Sequence, residues 1–284
     1  LKGWWSLASS LFNIIDDIIF LALREDMGTG DITAESTIDS KATLTATFTA
    51  KDEGVIAGID TVKRVWEILD SNLVFESFMT RGDRVKSGDK IATVSGNAVN
   101  ILTGERTCLN FMQRASGIAT LTARYVQAVA HTNARIVDTR KTVPGLRVLD
   151  KFAVYAGGGD NHRFSLSDGV LIKDNHILAS GSITEAVKRA KRYAPHTVKI
   201  EVECENMDHV REALSAGADI LMLDNMSCDM MRDCVHLCSG RAMTEASGGI
   251  TLDNVAEVAE TGVDLISIGA LTHSALALDI SLDF

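Results

Sequence analysis

Proline is nearly absent from the 284 residues: Pro144 and Pro195 are the only two. No proline-rich linker divides the chain. Cysteine is also scarce, with five residues, Cys108, Cys204, Cys228, Cys234 and Cys238. An odd, scattered set argues against a disulfide framework. Cys234 and Cys238 stand four apart on an expected helix and could supply half a zinc site. Structural zinc takes four ligands, however, and no second pair accompanies them, so core thiols are the simpler assignment. Positive charge is short as well: 28 Lys and Arg against 38 Asp and Glu leave a net charge of −10. That is the wrong sign for non-specific nucleic-acid binding and suits a cytoplasmic enzyme. Long apolar runs are missing too. Residues 11–23 are interrupted by Asp16-Asp17, too short to span a membrane, and not patterned as a signal peptide.

What is present is globular. Apolar residues make up 46% of the chain, enough for a large core, and the length fits one large domain or two ordinary ones. Ile14, Ile15, Ile18, Ile19, Ala22 and Leu23 recur at helical spacing and predict a surface helix. Two glycines among acids then predict a loop over 24–33, with Asp31 or Thr33 capping the turn that follows. Residues 42–50 alternate Thr with Ala, Leu and Phe, the period of a strand, which 54–58 continues. Helical spacing returns at Val62, Val65, Trp66 and Leu69. Residues 81–96 predict short strands with glycine turns, a texture similar to biotinyl and lipoyl carrier domains. Lys86 and Lys90 are not presented on a carrier hairpin, so a carrier role is not expected. A long helix is predicted over 103–130, starting at Thr103-Gly-Glu.

From residue 135 onward strands and helices alternate. Strands are predicted at 135–138, 169–172, 198–202, 220–223, 242–245 and 265–268. Helices are predicted between them at 145–156, 183–193, 207–216, 227–237 and 252–261. Continuous apolar strands of this kind are buried on both faces of a parallel sheet, and closing the sheet would put their carboxyl ends over one pocket. Those ends carry the chemistry: Arg140-Lys141, Lys173-Asp-Asn-His176, Glu203, Asp224-Asn225, Glu245 with Ser247-Gly248-Gly249, and Ser267 with Gly269. Between residues 135 and 176 there are seven Lys or Arg and five Asp or Glu, a local charge of +2 within an acidic chain.

The residue types divide by task. Arg140, Lys141, His162, Arg163 and Lys173 can pair with carboxylates or phosphates, arginine bidentately. Glu203 and Asp224 can hold Mg²⁺ together with water and a diphosphate, or face a developing cation. Ser247-Gly-Gly and Ser267-Ile-Gly suit a phosphate monoester bound on backbone N–H groups. Glu201 shares the side of its strand with Glu203 but lies deeper, and is expected to support rather than touch a ligand. Asp174 is assigned a structural role, His176 the ordering of its neighbours, and His273 the surface.

The ordered set Gly104-Glu-Arg-Thr-Cys-Leu-Asn-Phe, Asp138-Thr-Arg-Lys-Thr-Val-Pro-Gly-Leu-Arg, Gly157-Gly-Gly-Asp-Asn-His-Arg, Leu171-Ile-Lys-Asp-Asn-His, Met222-Leu-Asp-Asn and Glu245-Ala-Ser-Gly-Gly resembles the quinolinate phosphoribosyltransferase family, the carboxylating nicotinate-nucleotide pyrophosphorylases. The likeness runs in order over residues 23–283; residues 1–10 match nothing in it. It implies an α/β fold of type II phosphoribosyltransferase architecture. An N-terminal α/β sandwich (1–112 with 271–284) would join an incomplete, seven-stranded β/α barrel (113–270). It also implies conversion of quinolinate and phosphoribosyl pyrophosphate to nicotinate mononucleotide, pyrophosphate and CO₂ in NAD biosynthesis, with Mg²⁺ and no organic cofactor.

By matching motifs, Arg106, Arg140, His162, Arg163 and Lys173 would bind the quinolinate carboxylates. Lys141, Glu203 and Asp224 would be catalytic, the two acids facing ribose and metal. Ser247, Gly248, Gly249 and Gly269 would cradle the 5′-phosphate. A homodimer or hexamer is implied, with Arg106 reaching the neighbouring site. Two rivals are a molybdenum-associated paralogue of the same family and a non-catalytic protein that binds phosphoribosyl metabolites. The first has an altered Leu-Ile-Lys-Asp-Asn-His motif, which is intact here. The second need not keep Arg140, Lys173, Glu203 and Asp224 together. One departure is Phe164-Ser165, where the family more often has Leu-Gly.

Overall fold

The structure, a computed structural model, describes residues 9–284, with side chains from Ile14 onward. In chain order the first half comprises α1 (Ser9–Met27), α2 (Ile32–Thr37), β1 (Thr43–Ala50), β2 (Gly54–Val55), α3 (Ile59–Leu69), β3 (Val74–Ser77), β4 (Arg84–Val85), β5 (Lys90–Asn97) and α4 (Ala98–Ala128). The second half comprises β6 (Arg135–Val137), α5 (Arg147–Ala156), β7 (Val170–Ile172), α6 (Asp174–Ser180), α7 (Ile183–Tyr193), β8 (Ile200–Cys204), α8 (Met207–Ala216), β9 (Ile220–Asp224), α9 (Cys228–Cys238), β10 (Met243–Ser247), α10 (Val255–Ala259), β11 (Leu265–Ser267), α11 (Ala270–His273) and β12 (Ile280–Asp283). These form two compact units: residues up to 121 with 142–158 and 274–284, and residues 122–141 with 159–273.

The first unit is built on a four-stranded sheet in the order β12-β1-β5-β3. Every pairing in it is antiparallel, with Phe48 opposite Ala92 on one side and Leu282 on the other. The alternation of β1 buries Ala46, Phe48 and Ala50, as a half-buried strand requires. They share one core with Ile19 of α1, Val62, Val65 and Trp66 of α3, and Ile101, Leu109 and Met112 of α4. β5 is thus an inner strand of a helix-covered sheet, and the likeness to a carrier sandwich does not hold. α4 begins at Ala98, five residues before the expected start, because Asn97 accepts from Asn100 N at 3.1 Å and opens the helix. Thr103 instead donates to Asp31 Oδ2 at 3.2 Å, while Asp31 Oδ1 caps α2 through Ala34 N at 2.9 Å. Helix α5, expected as part of the barrel, belongs to the first unit. There Arg114 of α4 grips the buried Asp150 with two hydrogen bonds of 2.9 Å.

The second unit holds a six-stranded sheet in the order β7-β8-β9-β10-β11-β6, parallel throughout. Beyond β6 a single parallel bridge joins Val137 to Asp160 and stands in the place of a seventh strand. No pairing joins that bridge to β7 among the described residues, so the barrel is incomplete. Each predicted strand from residue 135 onward is present within two residues of its expected bounds. The short α6 was not foreseen. None of its side chains is buried, so it carries no apolar stripe for a sequence pattern to register.

Candidate active site

All six strands of the second unit run parallel, so their carboxyl ends share one edge of the sheet. Lys173 follows β7 directly, and its Nζ lies 2.8 Å from Glu203 Oε2 at the end of β8. The Lys173 side chain is 47% exposed and that of Glu203 only 11%, so the lysine reaches down from solvent onto a largely covered carboxylate. The Lys173 backbone N–H donates to His176 Nδ1 at 2.9 Å, giving His176 the ordering role expected of it. At the end of β9, Asp224 accepts from the Asn225 amide at 2.7 Å. Asn225 adopts φ 53° and donates from its backbone to Ser247 O at 2.9 Å, tying the β9 and β10 ends together.

The Ser247-Gly248-Gly249 turn follows β10 with φ +90° at Gly248 and +62° at Gly249. A Cβ on Gly248 would strike the Asn225 side-chain amide, so this turn tolerates no side chain there. After β11, a Cβ on Gly269 would come within 2.8 Å of Lys141 Cδ. The lysine stem therefore lies across that glycine, and Thr272 Oγ1 holds the Lys141 carbonyl at 2.8 Å. The chain ends after β6 and β11 are brought together in this way. Ser267 is buried and its hydroxyl donates to Ala246 O at 3.3 Å, which makes it part of the wall between β10 and β11.

The loop after the Asp160 bridge is held by Asp138, which is fully buried. Its carboxylate accepts from Asn161 Nδ2 at 2.7 Å and from His162 N at 2.9 Å. Arg163 Nη1 donates to Gly169 O at 2.9 Å. Burial holds the Arg163 guanidinium below its ordinary pKa, and the like charge of Arg140 adds to that effect. The negative charges of Glu201 and Asp168 act on Arg163 in the opposite direction. Ser165 N donates to Asp168 Oδ2 at 2.8 Å, so the departure at Phe164-Ser165 is accommodated in a closed turn.

The His162 ring turns toward the interior of the sheet. Its Nδ1 accepts from Arg163 N at 2.8 Å, and its Nε2 lies 3.0 Å from Glu201 Oε2 and 3.7 Å from Glu245 Oε1. Both glutamates are buried. Burial, with the charge of Glu201, pushes Glu245 up to about 7, while His162 and Ser267 pull it the other way. Glu245 was expected only as a polar strand end. Its meeting with His162 joins residues far apart in the chain, and no local pattern encodes it.

Oxygen donors suited to Mg²⁺ are present at Glu203 and Asp224. They form no cluster of three metal-ligating side chains among the described residues. Such a pair fits an ion that keeps water and substrate oxygens as its other ligands. Cys204, Cys234 and Cys238 are buried, and burial raises all three thiols, Cys204 to about 12 and Cys234 to about 11. A thiol held protonated is no nucleophile. Cys234 packs against Met226 with its sulfur 3.8 Å from Sδ, as a core residue. Arg106 belongs to α4 in the first unit, where it is exposed. No helix among the described residues is long and apolar enough to cross a membrane.

Residues 31–116 match the family model described as quinolinate phosphoribosyl transferase, N-terminal domain, and residues 118–283 match its C-terminal domain. The Bacillus subtilis (strain 168) protein named probable nicotinate-nucleotide pyrophosphorylase (carboxylating) is 49% identical over 259 residues, covering 91% of this chain and 89% of that one. The chloroplastic nicotinate-nucleotide pyrophosphorylase (carboxylating) of Arabidopsis thaliana is 46% identical over 284 residues, covering 93% and 81%. Among solved structures, NadC from Streptococcus pyogenes superposes with a TM-score of 0.93 at 40% identity, covering 98% of each chain.

Proposed function

Because the chain belongs to the quinolinate phosphoribosyltransferase family, we propose that it converts quinolinate and phosphoribosyl pyrophosphate into nicotinate mononucleotide, pyrophosphate and CO₂. The observation that carries this is the Lys173–Glu203 pair at adjoining strand ends, one group for an acid substrate and one for a cationic sugar, within a chain matched by both family models. The molybdenum-associated and non-catalytic alternatives find no support in the relatives.

The residues divide the chemistry as follows. Arg140, Arg163 and Lys173 bind the two carboxylates of quinolinate and orient its ring nitrogen toward the anomeric carbon. The N–H groups of the Ser247-Gly248-Gly249 turn and of Gly269 hold the 5′-phosphate. The ring nitrogen uses its lone pair to form the bond to the anomeric carbon as the bond to the diphosphate oxygen breaks. Positive charge then grows on the ribose, opposite Glu203 and Asp224. Lys141 lies across Gly269 and meets the charge leaving with diphosphate. Mg²⁺, held by Glu203 and Asp224, would supply further neutralisation of the diphosphate. The quaternised nitrogen then draws electrons toward the ring. The bond from the ring to the 2-carboxylate breaks, CO₂ departs, and the carbanion takes a proton from solvent. No covalent enzyme intermediate is required.

The active form is a homodimer or hexamer in which Arg106 completes the neighbour's acid pocket, and the enzyme works in the cytoplasm. Incubation with quinolinate, phosphoribosyl pyrophosphate and Mg²⁺ should release nicotinate mononucleotide and CO₂ together, and nicotinate in place of quinolinate should give neither. Turnover of nicotinate, or the absence of product from quinolinate, would refute the assignment.

A further inference from the structure

We propose that Glu201, with Glu245 behind it, fixes His162 as a neutral ring protonated on Nε2, so that His162 braces the Arg163 backbone instead of meeting quinolinate as a cation. This rests on the reading of the site as a quinolinate pocket and changes the part that one of its residues plays.

The geometry is specific about the proton. Nδ1 of His162 lies 2.8 Å from the Arg163 amide nitrogen, which can only donate, so Nδ1 must accept. The ring proton is then on Nε2, 3.0 Å from Glu201 Oε2. Adding a second proton would set two donors against each other at Nδ1. Both ring nitrogens are thereby engaged within the protein, and the ring is turned away from a role as a charged ligand.

The same three side chains bring their ligating atoms within 4.8 Å of one another and could be taken for a metal centre. The Arg163 contact argues against that. A metal on Nε2 would require the ring proton to move to Nδ1, where it would face the Arg163 N–H. A proton on Glu245 would relieve the crowding of two buried acids without a metal. Neither oxygen of Glu245, nor Oε1 of Glu201, meets a hydrogen-bond partner at bonding geometry. Burial, with the charge of Glu201 beside it, raises the Glu245 carboxyl.

The consequence reaches the pocket through two links. The His162 ring holds the Arg163 amide, and Arg163 Nη1 is fixed on Gly169 O. The charge of Glu201 also attracts the Arg163 guanidinium. Glu201 is therefore a positioning residue for Arg163, acting through His162 and through its own field.

The test uses the full-length protein labelled with ¹⁵N-histidine, free of substrate, with His162→Asn to assign the ring. In the wild type the ring signals lost in His162→Asn should be those of a neutral Nε2–H tautomer near neutral pH. A doubly protonated ring or an Nδ1–H tautomer at His162 would overturn the proposal. So would a stoichiometric divalent metal retained by protein purified in chelator. In Glu201→Gln the His162 signals should shift, and the KM for quinolinate should rise about tenfold or more while that for phosphoribosyl pyrophosphate stays within about twofold. Unchanged ring signals and an unchanged quinolinate KM would refute the positioning role. The ring spectrum requires no turnover, so it decides the tautomer even if quinolinate proves not to be the substrate.

Discussion

Glu203 is a largely covered carboxylate whose partner, Lys173, stands at 2.8 Å and is half exposed. In the proposed reaction an arriving carboxylate would draw Lys173 away and free Glu203 to face the sugar as its charge develops. Removing either the acid or the lysine on the leaving-group side should be felt in the transition state. Glu203→Ala and Lys141→Ala are each expected to lower kcat by about 100-fold or more. Steady-state kinetics would check this, and full activity in either variant would remove the role assigned to it. Glu245 gives a second expectation. Its carboxyl is raised from 4.5 to about 7 in the folded protein. Within that window the folded state keeps a proton that the unfolded chain has lost, so stability falls as pH rises and levels off above it. Thermal melts at about pH 5 and about pH 8 should therefore differ more for the wild type than for Glu245→Gln. Equal losses in the two proteins would place the pH dependence elsewhere.

At the scale of elements, the two edges of the parallel sheet do different work. At the carboxyl edge the side chains carry the site. At the opposite edge, acids just before one strand hold the start of its neighbour: Asp219 accepts from Ile200 N at 2.7 Å, and Asp264 accepts from Thr244 N at 2.7 Å and its hydroxyl at 3.0 Å. Bonds of this kind register strands and lie away from the chemistry. Asp264→Ala is expected to cost about 1–2 kcal/mol of stability while kcat/KM stays within about twofold. Denaturant unfolding beside kinetics would separate the two, and a large loss of kcat/KM in folded protein would show that this edge communicates with the site. Much of this unit was legible in the chain. Apolar β-branched runs ending in polar residues recur at the spacing of βα steps, and the strands followed. Helix α6 is not legible because it buries nothing, and α4 starts earlier than its sequence suggests because the residue that opens it is Asn97, the last of the preceding strand.

For the whole molecule, the proposed oligomer makes a quantitative statement about sharing. If Arg106 of one subunit serves the site of its neighbour, Arg106→Ala and Lys173→Ala proteins should each be nearly inactive. Mixing them under conditions of subunit exchange should restore roughly a quarter of wild-type activity per site, since one site in the mixed pair would be intact. Activity assays after mixing, with exchange verified by tagged subunits, would check this; no recovery despite exchange would make each site self-contained. The chain itself also closes on a large scale. Its last strand, β12, returns to pair with β1, so residues almost the whole sequence apart share one sheet.

The amino-acid sequence by itself determined the order of strands and helices, the residues at the strand ends, and the family, because each of these is written in local periodicity or in motifs of a few residues. It also marked Glu201 as a supporting acid through its two-residue offset from Glu203. The tertiary structure alone decided that His162, Glu201 and Glu245 meet, that Lys141 lies across Gly269, and that Ser267 turns its hydroxyl into the wall. These contacts join residues from separate strands and loops. Their geometry comes from how a twisted parallel sheet curls and packs, and no local pattern of sequence carries that information.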